Sequence, residues 1–258
     1  MKTDELYKSY DVHHWLKYNP HEGHYAKYDP NTVAVGFKIH ETYGLFCNAR
    51  TLLACSESKD FGDISGPDDL SKRYLASTFL QSALATYNYC IDLSWQVAWF
   101  YCAPSDAYYL IDEEKEYIDY CKKCTFDILG LKLRLGKKTE LANHLNAFYS
   151  NDLTKKIRSE YNYLKHRGSH HTPGLGEQRS HMIASIDGEQ LKLLQRNVFD
   201  IDEWFDKLFE FDQSFTKYFE KLIGFTVPHN FPETPLDLFA PIEYYMKKKN
   251  YLGKPLRV

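Results

Sequence analysis

A mainly α-helical fold, a helical bundle with one appended β-hairpin and a C-terminal helix, is predicted by three features of the sequence. The stretch from Asp69 to Cys102 places Ala76, Phe79, Leu80, Ala83, Leu84, Tyr87, Ile91, Trp95, Ala98 and Cys102 three or four residues apart. That is the spacing of one helix face. A second stripe of the same period runs through Trp204, Leu208, Phe211, Phe215, Phe219 and Leu222. Between the two, HMIAS and EQLKLLQ flank Asp187-Gly188, a dipeptide that supplies the positive φ angles of a two-residue hairpin turn.

Taken in order, residues 1–61 read as an N-terminal arm and a first helix. Met1 to Asn31 is rich in Tyr, His and Lys and carries Pro20, Gly23 and Pro30. Such a segment is expected to be irregular, with one short helix around Asp11 to Tyr18. Asp29-Pro30 resembles a helix start, an acid as cap and a proline in the first turn. Between Val33 and Ala54 the sequence allows a strand, with Val33, Val35, Phe37 and Ile39 alternating. It also allows a helix, with Val35, Ile39, Tyr43, Phe46, Ala49 and Leu53 in step, and the helical pattern covers more residues.

Residues 62–224 form the principal domain. A loop leads into the long helix, with Asp69 as its cap and Pro104 as its stop, spanning roughly 50 Å at about 1.5 Å per residue. Its many polar residues, Asp92 among them, exclude a membrane span. Asp112-Glu113-Glu114 suit the start of a third helix that continues through Tyr117, Cys121, Phe126 and Leu129. Gly130 to Lys138 reads as a basic connector, and Thr139 as the cap of a short helix to Tyr149. The next helix starts near Asp152, turns Leu153, Ile157, Tyr161 and Leu164 inward, and ends at Gly168. A hairpin at about 180–195 and the second long stripe follow. Residues 225–258, with Pro228, Pro232, Pro235 and Pro241, read as a Pro-rich tail.

The apolar share of 43% suffices for a core, and an aromatic share of 16% predicts aromatic-rich packing and an aromatic-rich interface. A formal net charge of −3 gives no global attraction to phosphates, so nucleic-acid binding requires a local patch. Lys155, Lys156, Arg158, Lys165 and Arg167 supply one, or simply a solvated helix face. The six cysteines lie mostly within apolar helical patterns behind no signal peptide, which predicts reduced thiols in a cytoplasmic protein. Cys121 and Cys124 make a lone CxxC that consecutive helical turns explain. Neither His13, His14, His21 and His24 nor His166, His170, His171 and His181 has the spacing of a metal site. No metal or other cofactor is expected.

Two polar groupings stand out. Gln81, Asn88, Asp92 and Trp95 lie close to one side of the long helix, either as a satisfied core network or as the backing of a functional site. Arg158, Asn162 and His166, four residues apart, form one stripe of another helix, flanked by Lys165 and Arg167. A histidine titrating near neutrality, an amide to orient it and cations to hold phosphate are the groups of a metal-independent ribonuclease. They equally suit phosphate binding.

The long helix bearing YNYCIDLSWQVAWF, paired with a later helix bearing NYLKHRG, resembles the HEPN superfamily, and in particular a poorly characterised bacterial branch of it. The similarity covers about residues 70–224. It implies an all-α RNA-binding protein, a ribonuclease of toxin or defence type, with RNA, a second copy of the chain and an antitoxin or operonic protein as partners. The superfamily's motif is an Arg, then a polar residue such as Asn, then a His after four to six residues. Asn162 and His166 match its polar and His positions. Tyr161 stands where the motif has Arg, and Arg158 lies one turn earlier. By this resemblance Arg158, Asn162 and His166 are the catalytic set, Lys165 and Arg167 bind substrate, and Asn88 and Asp92 support them. A non-catalytic dimerisation or binding module is the alternative.

Overall fold

The long apolar stripes of the sequence are helices in the computed structural model, which describes residues 1–64, 66–178, 181–192 and 194–252, and the side chains of these except 63, 181–184, 191, 192 and 252. The helices are α1 (Asp4–Ser9), α2 (Glu22–Lys27), α3 (Pro30–Ser56), α4 (Asp69–Tyr101), α5 (Tyr109–Asp112), α6 (Glu114–Lys122), α7 (Phe126–Leu135), α8 (Thr139–Tyr149) and α9 (Asp152–Arg167). The antiparallel hairpin β1 (His181–Ile186) and β2 (Glu189–Lys192) follows, then α10 (Ile201–Thr226) and α11 (Ala240–Leu252). Short 3₁₀ turns occupy His13–Tyr18 and Gly62–Ile64. Asp187 and Gly188 both take positive φ, as their hairpin turn requires.

Helix ends follow the side chains available. The cap of α4 is Asp68, one residue before the expected Asp69: its carboxylate accepts the Ser71 N–H and the Ser71 hydroxyl, each at 2.8 Å. Asn151 caps α9, its Oδ1 accepting from the N–H of Leu153 at 2.9 Å and of Thr154 at 3.4 Å. Gly168 closes that helix at φ +79°, its N–H donating to Leu164 O at 2.8 Å.

Several elements differ from the expectation. The third helix is two helices, because the chain breaks after Lys122 and Thr125 restarts it by accepting the Ile128 N–H at 3.3 Å. The expected connector from Gly130 is therefore mostly α7, and Thr139 is the first residue of α8 with Lys138 at the cap position. The N-terminal arm holds α1 and α2, and of the stretch Asp11 to Tyr18 only His13–Tyr18 is helical, as a 3₁₀ turn and not an α-helix. The tail contains α11, whose Pro241 sits in the first turn, where a missing N–H costs nothing.

Two compact units form, one from residues 1–10, 46–88 and 151–214, the other from 11–45, 89–150 and 215–258. Each draws on three stretches of chain, and three of the five boundaries fall inside α3, α4 and α10. In the first unit a buried ion pair replaces part of the apolar core. Arg50 donates to Asp212 from Nε at 2.8 Å and Nη2 at 2.7 Å, and the Tyr87 hydroxyl donates to the same carboxylate at 2.7 Å. In the second unit Phe148 and Tyr218 stack at 3.8 Å, and the Tyr218 and Ser94 hydroxyls lie 3.0 Å apart. There α11 packs on α2 and is tied down by Lys248 to Asp112 at 2.6 Å and by the Tyr244 hydroxyl to the same carboxylate.

Candidate functional site

The expected site residues lie on α9, and the helix separates them by exposure. Asn162, Lys165, His166 and Arg167 are exposed on its last two turns, whereas Arg158 is half-buried one turn earlier. Arg158 donates from Nη1 to Oδ1 of Asn88 on α4 at 3.4 Å. Asn88 is buried, and that contact joins the two polar groupings of the sequence within the first unit. Asp92, one turn further along α4, is half-buried.

Among the described residues, Asn162, Lys165 and His166 make no side-chain hydrogen bond or ion pair within the chain. Arg167 makes two loose contacts, with Gln195 O at 3.4 Å and with the Tyr163 ring at 5.9 Å. Further up the helix, Lys155 and Lys156 are engaged with Asp152 and Glu160, at 3.6 and 3.0 Å. The uncommitted positive charge of α9 is therefore concentrated at its C-terminal end, beside His166.

The inward face of α9 is rotated slightly from the expected stripe. Thr154, Ile157 and Glu160 are buried, while Leu153, Tyr161 and Leu164 are half-buried. Glu160 is thus a carboxylate on an apolar face, and it is satisfied there by Nε2 of His170 at 2.7 Å, by Lys156, and by Nδ2 of Asn197 at 3.4 Å. Burial alone would raise the Glu160 pKa, but these hydrogen bonds outweigh it and hold the carboxyl below its usual range. Burial pulls His170 below the ordinary histidine value, with Glu160 opposing.

The imidazole of His170 packs near the rings of Tyr163 and Phe199, with centroids 4.8 and 5.0 Å away. Its backbone N–H donates to Oε1 of Gln81 on α4 at 3.1 Å, and Ser77 meets Thr172 through hydroxyls 2.6 Å apart. His171 pairs with Asn197 and Phe199 through its backbone. These contacts anchor the chain on both sides of the hairpin. Glu160, His170 and Gln81 form a closed structural network that carries no uncommitted group.

Two histidines of the N-terminal arm and the CxxC are also tied into the fold. His21 and His24 bond the carbonyl oxygens of Thr234 and Phe231 at 3.1 and 3.0 Å, fastening the Pro-rich stretch. The side chain of His181 lies outside the described residues. Cys121 lies in the last turn of α6 and Cys124 stands in the break before α7, so they do not sit on consecutive turns of one helix. Burial raises both thiols, Cys124 to about 12. Among the described residues no three His, Cys, Asp or Glu side chains gather as a metal-ligand set. Nor is any described helix long and apolar enough to cross a membrane.

Comparison with protein-family models, curated proteins and solved structures finds no match to this chain.

Proposed function

We propose that the chain is an HEPN-like RNA-binding protein whose recognition surface is the C-terminal end of α9, and that His166 there makes it a metal-independent endoribonuclease of toxin or defence type. One contrast carries the reading. His24, His144 and His170 each bond a partner in the fold, whereas His166 is exposed beside Asn162, Lys165 and Arg167 and, among the described residues, its ring bonds none. A histidine in that setting is available to accept a proton from a ribose 2′-hydroxyl or to donate one to the leaving oxygen. Attack of the 2′-oxygen on phosphorus breaks the bond to the 5′-oxygen and leaves a 2′,3′-cyclic phosphate. Asn162, one turn away and not bonded to the imidazole in the free chain, is the group that orients it once RNA is bound, and Lys165 with Arg158 offsets charge growing on the phosphate.

The bond from Arg158 to Asn88 makes Arg158 a partly committed group, which favours binding over cleavage. A homodimer that places two α9 ends together would complete the site, and an antitoxin or operonic protein would mask it. The second reading, a non-catalytic binding or dimerisation module, is favoured by the exposed apolar residues Leu238, Phe239, Ile242, Tyr245 and Met246 in and before α11.

Fluorescence anisotropy with a labelled single-stranded RNA tests the binding half. Wild type should bind with an affinity that falls as salt rises, by about 0.7 log units per log unit for each phosphate neutralised. A Lys165→Glu, Arg167→Glu double variant should bind at least tenfold more weakly with an unchanged melt. Equal binding by the double variant would remove α9 as the interface.

A further inference from the structure

The second unit holds a cleft of about 550 Å³ beside α4, α5, α6 and α7. That volume falls within the roughly 300–1,000 Å³ typical of small-molecule sites. Trp99, Tyr120 and Lys132 line it together with Tyr109 and Ile128, two large apolar side chains that are 44% and 46% exposed. Glu116 and Lys123 add one charge of each sign.

Lys132 is the unusual member. It is half-buried, its Nζ 3.7 Å from the centroid of the Trp99 ring and donating to the Tyr120 hydroxyl at 3.0 Å. The indole is fixed in turn, since Trp99 Nε1 donates to Tyr120 O at 3.0 Å. An ammonium so placed is held by an aromatic face and a phenol, both weaker counterparts than a carboxylate. Among the described residues no carboxylate forms an ion pair with Lys132 or Lys123, although the neighbouring Lys122 has Asp119 at 2.9 Å. Burial lowers the Lys132 pKa, with the Cys102 and Cys124 thiols opposing. A cation withdrawn from water without a counter-ion leaves positive potential facing the cleft.

We propose that this cleft binds a small planar carboxylate: the anionic group on Lys132 and Lys123, an aromatic ring against Tyr109, Tyr120 and Ile128, and a ring hydroxyl or amino group donating to Glu116. Two lysines and one glutamate leave a single positive charge, which matches a monoanion. A phosphate dianion would meet repulsion from Glu116 without the convergent N–H donors that such groups usually find. The site is separate from α9 and stands whether or not the RNA reading does.

Isothermal titration of the full chain with 4-hydroxybenzoate tests it, with cyclohexanecarboxylate and 4-hydroxybenzyl alcohol as probes lacking the planar ring and the charge. Saturable 1:1 binding of 4-hydroxybenzoate is expected, with Kd below about 1 mM and both controls at least tenfold weaker. Lys132→Met should weaken it by tenfold or more. Glu116→Gln should weaken 4-hydroxybenzoate while leaving benzoate bound as tightly as before or more tightly, since it removes a negative charge, which assigns the ring substituent to that carboxylate. Where Lys132→Met lowers the melting temperature, the exposed Lys123→Met takes its place as the test of charge. The proposal is overturned if 4-hydroxybenzoate gives no saturable heat up to about 10 mM, if the neutral alcohol binds as well, or if the charge-removing variant that keeps its melt binds like wild type.

Discussion

The imidazole of His24 donates from Nε2 to the carbonyl oxygen of Phe231 at 3.0 Å. Its Nδ1 meanwhile accepts the backbone N–H of His21, also at 3.0 Å. A carbonyl only accepts and an amide N–H only donates, so this geometry requires the neutral ring. Burial lowers the His24 pKa, against the Phe231 hydrogen bond, and burial lowers His144 and His170 as well.

The sign of the pH dependence follows. The unfolded chain takes up these protons at about pH 6.5, before the folded chain does. The stability they supply is complete above that value and is lost as pH falls through the lower folded-state values. Melting temperatures measured from pH 8 to pH 5 should be flat at first and then decline below about pH 6.5. His24→Asn should lower the melt at pH 8 and flatten the decline. A melt that rises on acidification would contradict this.

Arg50 and Asp212 are almost wholly withdrawn from solvent, 2% and 0% exposed, and each is the other's counter-ion. Truncating one leaves an uncompensated buried charge, so Asp212→Ala should cost about 3–5 kcal/mol. Tyr87→Phe removes one hydrogen bond to that carboxylate and should cost about 1.5–3 kcal/mol. Urea denaturation of both variants measures the two losses. A loss under about 1 kcal/mol for Asp212→Ala would mean that the pair is hydrated in solution.

Gly168 ends α9 at φ +79°, and a Cβ there would meet no atom within 4 Å. Gly168→Ala therefore carries a conformational penalty without a clash, about 1–2 kcal/mol. Its melt should fall accordingly. An unchanged melt would show that the turn after α9 is not held in this conformation.

The helices were legible where an apolar stripe ran uninterrupted, as in α4 and α10, and the hairpin because Asp187-Gly188 names its own turn. The break between α6 and α7 was not, since Lys123, Cys124 and Thr125 include neither Gly nor Pro and the apolar period passes straight over them. Pro228, Pro232 and Pro235 obscured α11, although Pro241 is compatible with a first turn. Of the candidate site, the Arg158, Asn162 and His166 stripe could be placed on a helix but its exposure could not. Glu160 gave one sign of the network missed: it lies three residues after Ile157 and four before Leu164, an acid at an apolar position. Its partner His170 lies beyond Gly168, where no helical period relates the two.

Arg158→Ala bears on how α9 would act on RNA. Losing the Asn88 contact from a half-buried position should lower the melt modestly, by about 1 kcal/mol in stability. If the guanidinium also reaches phosphate, cleavage should fall further than that loss explains. Rates measured well below the variant's melting temperature separate the two effects. A cleavage rate equal to wild type would make Arg158 purely structural.

Cleavage of labelled single-stranded RNA by wild type and His166→Ala, with chelator present and melts recorded in parallel, tests the central claim most directly. Wild type should produce 2′,3′-cyclic phosphate ends. His166→Ala should cleave about 10²–10⁴-fold more slowly with its melting temperature within a few degrees, since the exposed ring bonds none of the described residues. No cleavage of any of several RNAs by wild type, together with a destabilised His166→Ala, would contradict the account and leave the binding module in its place.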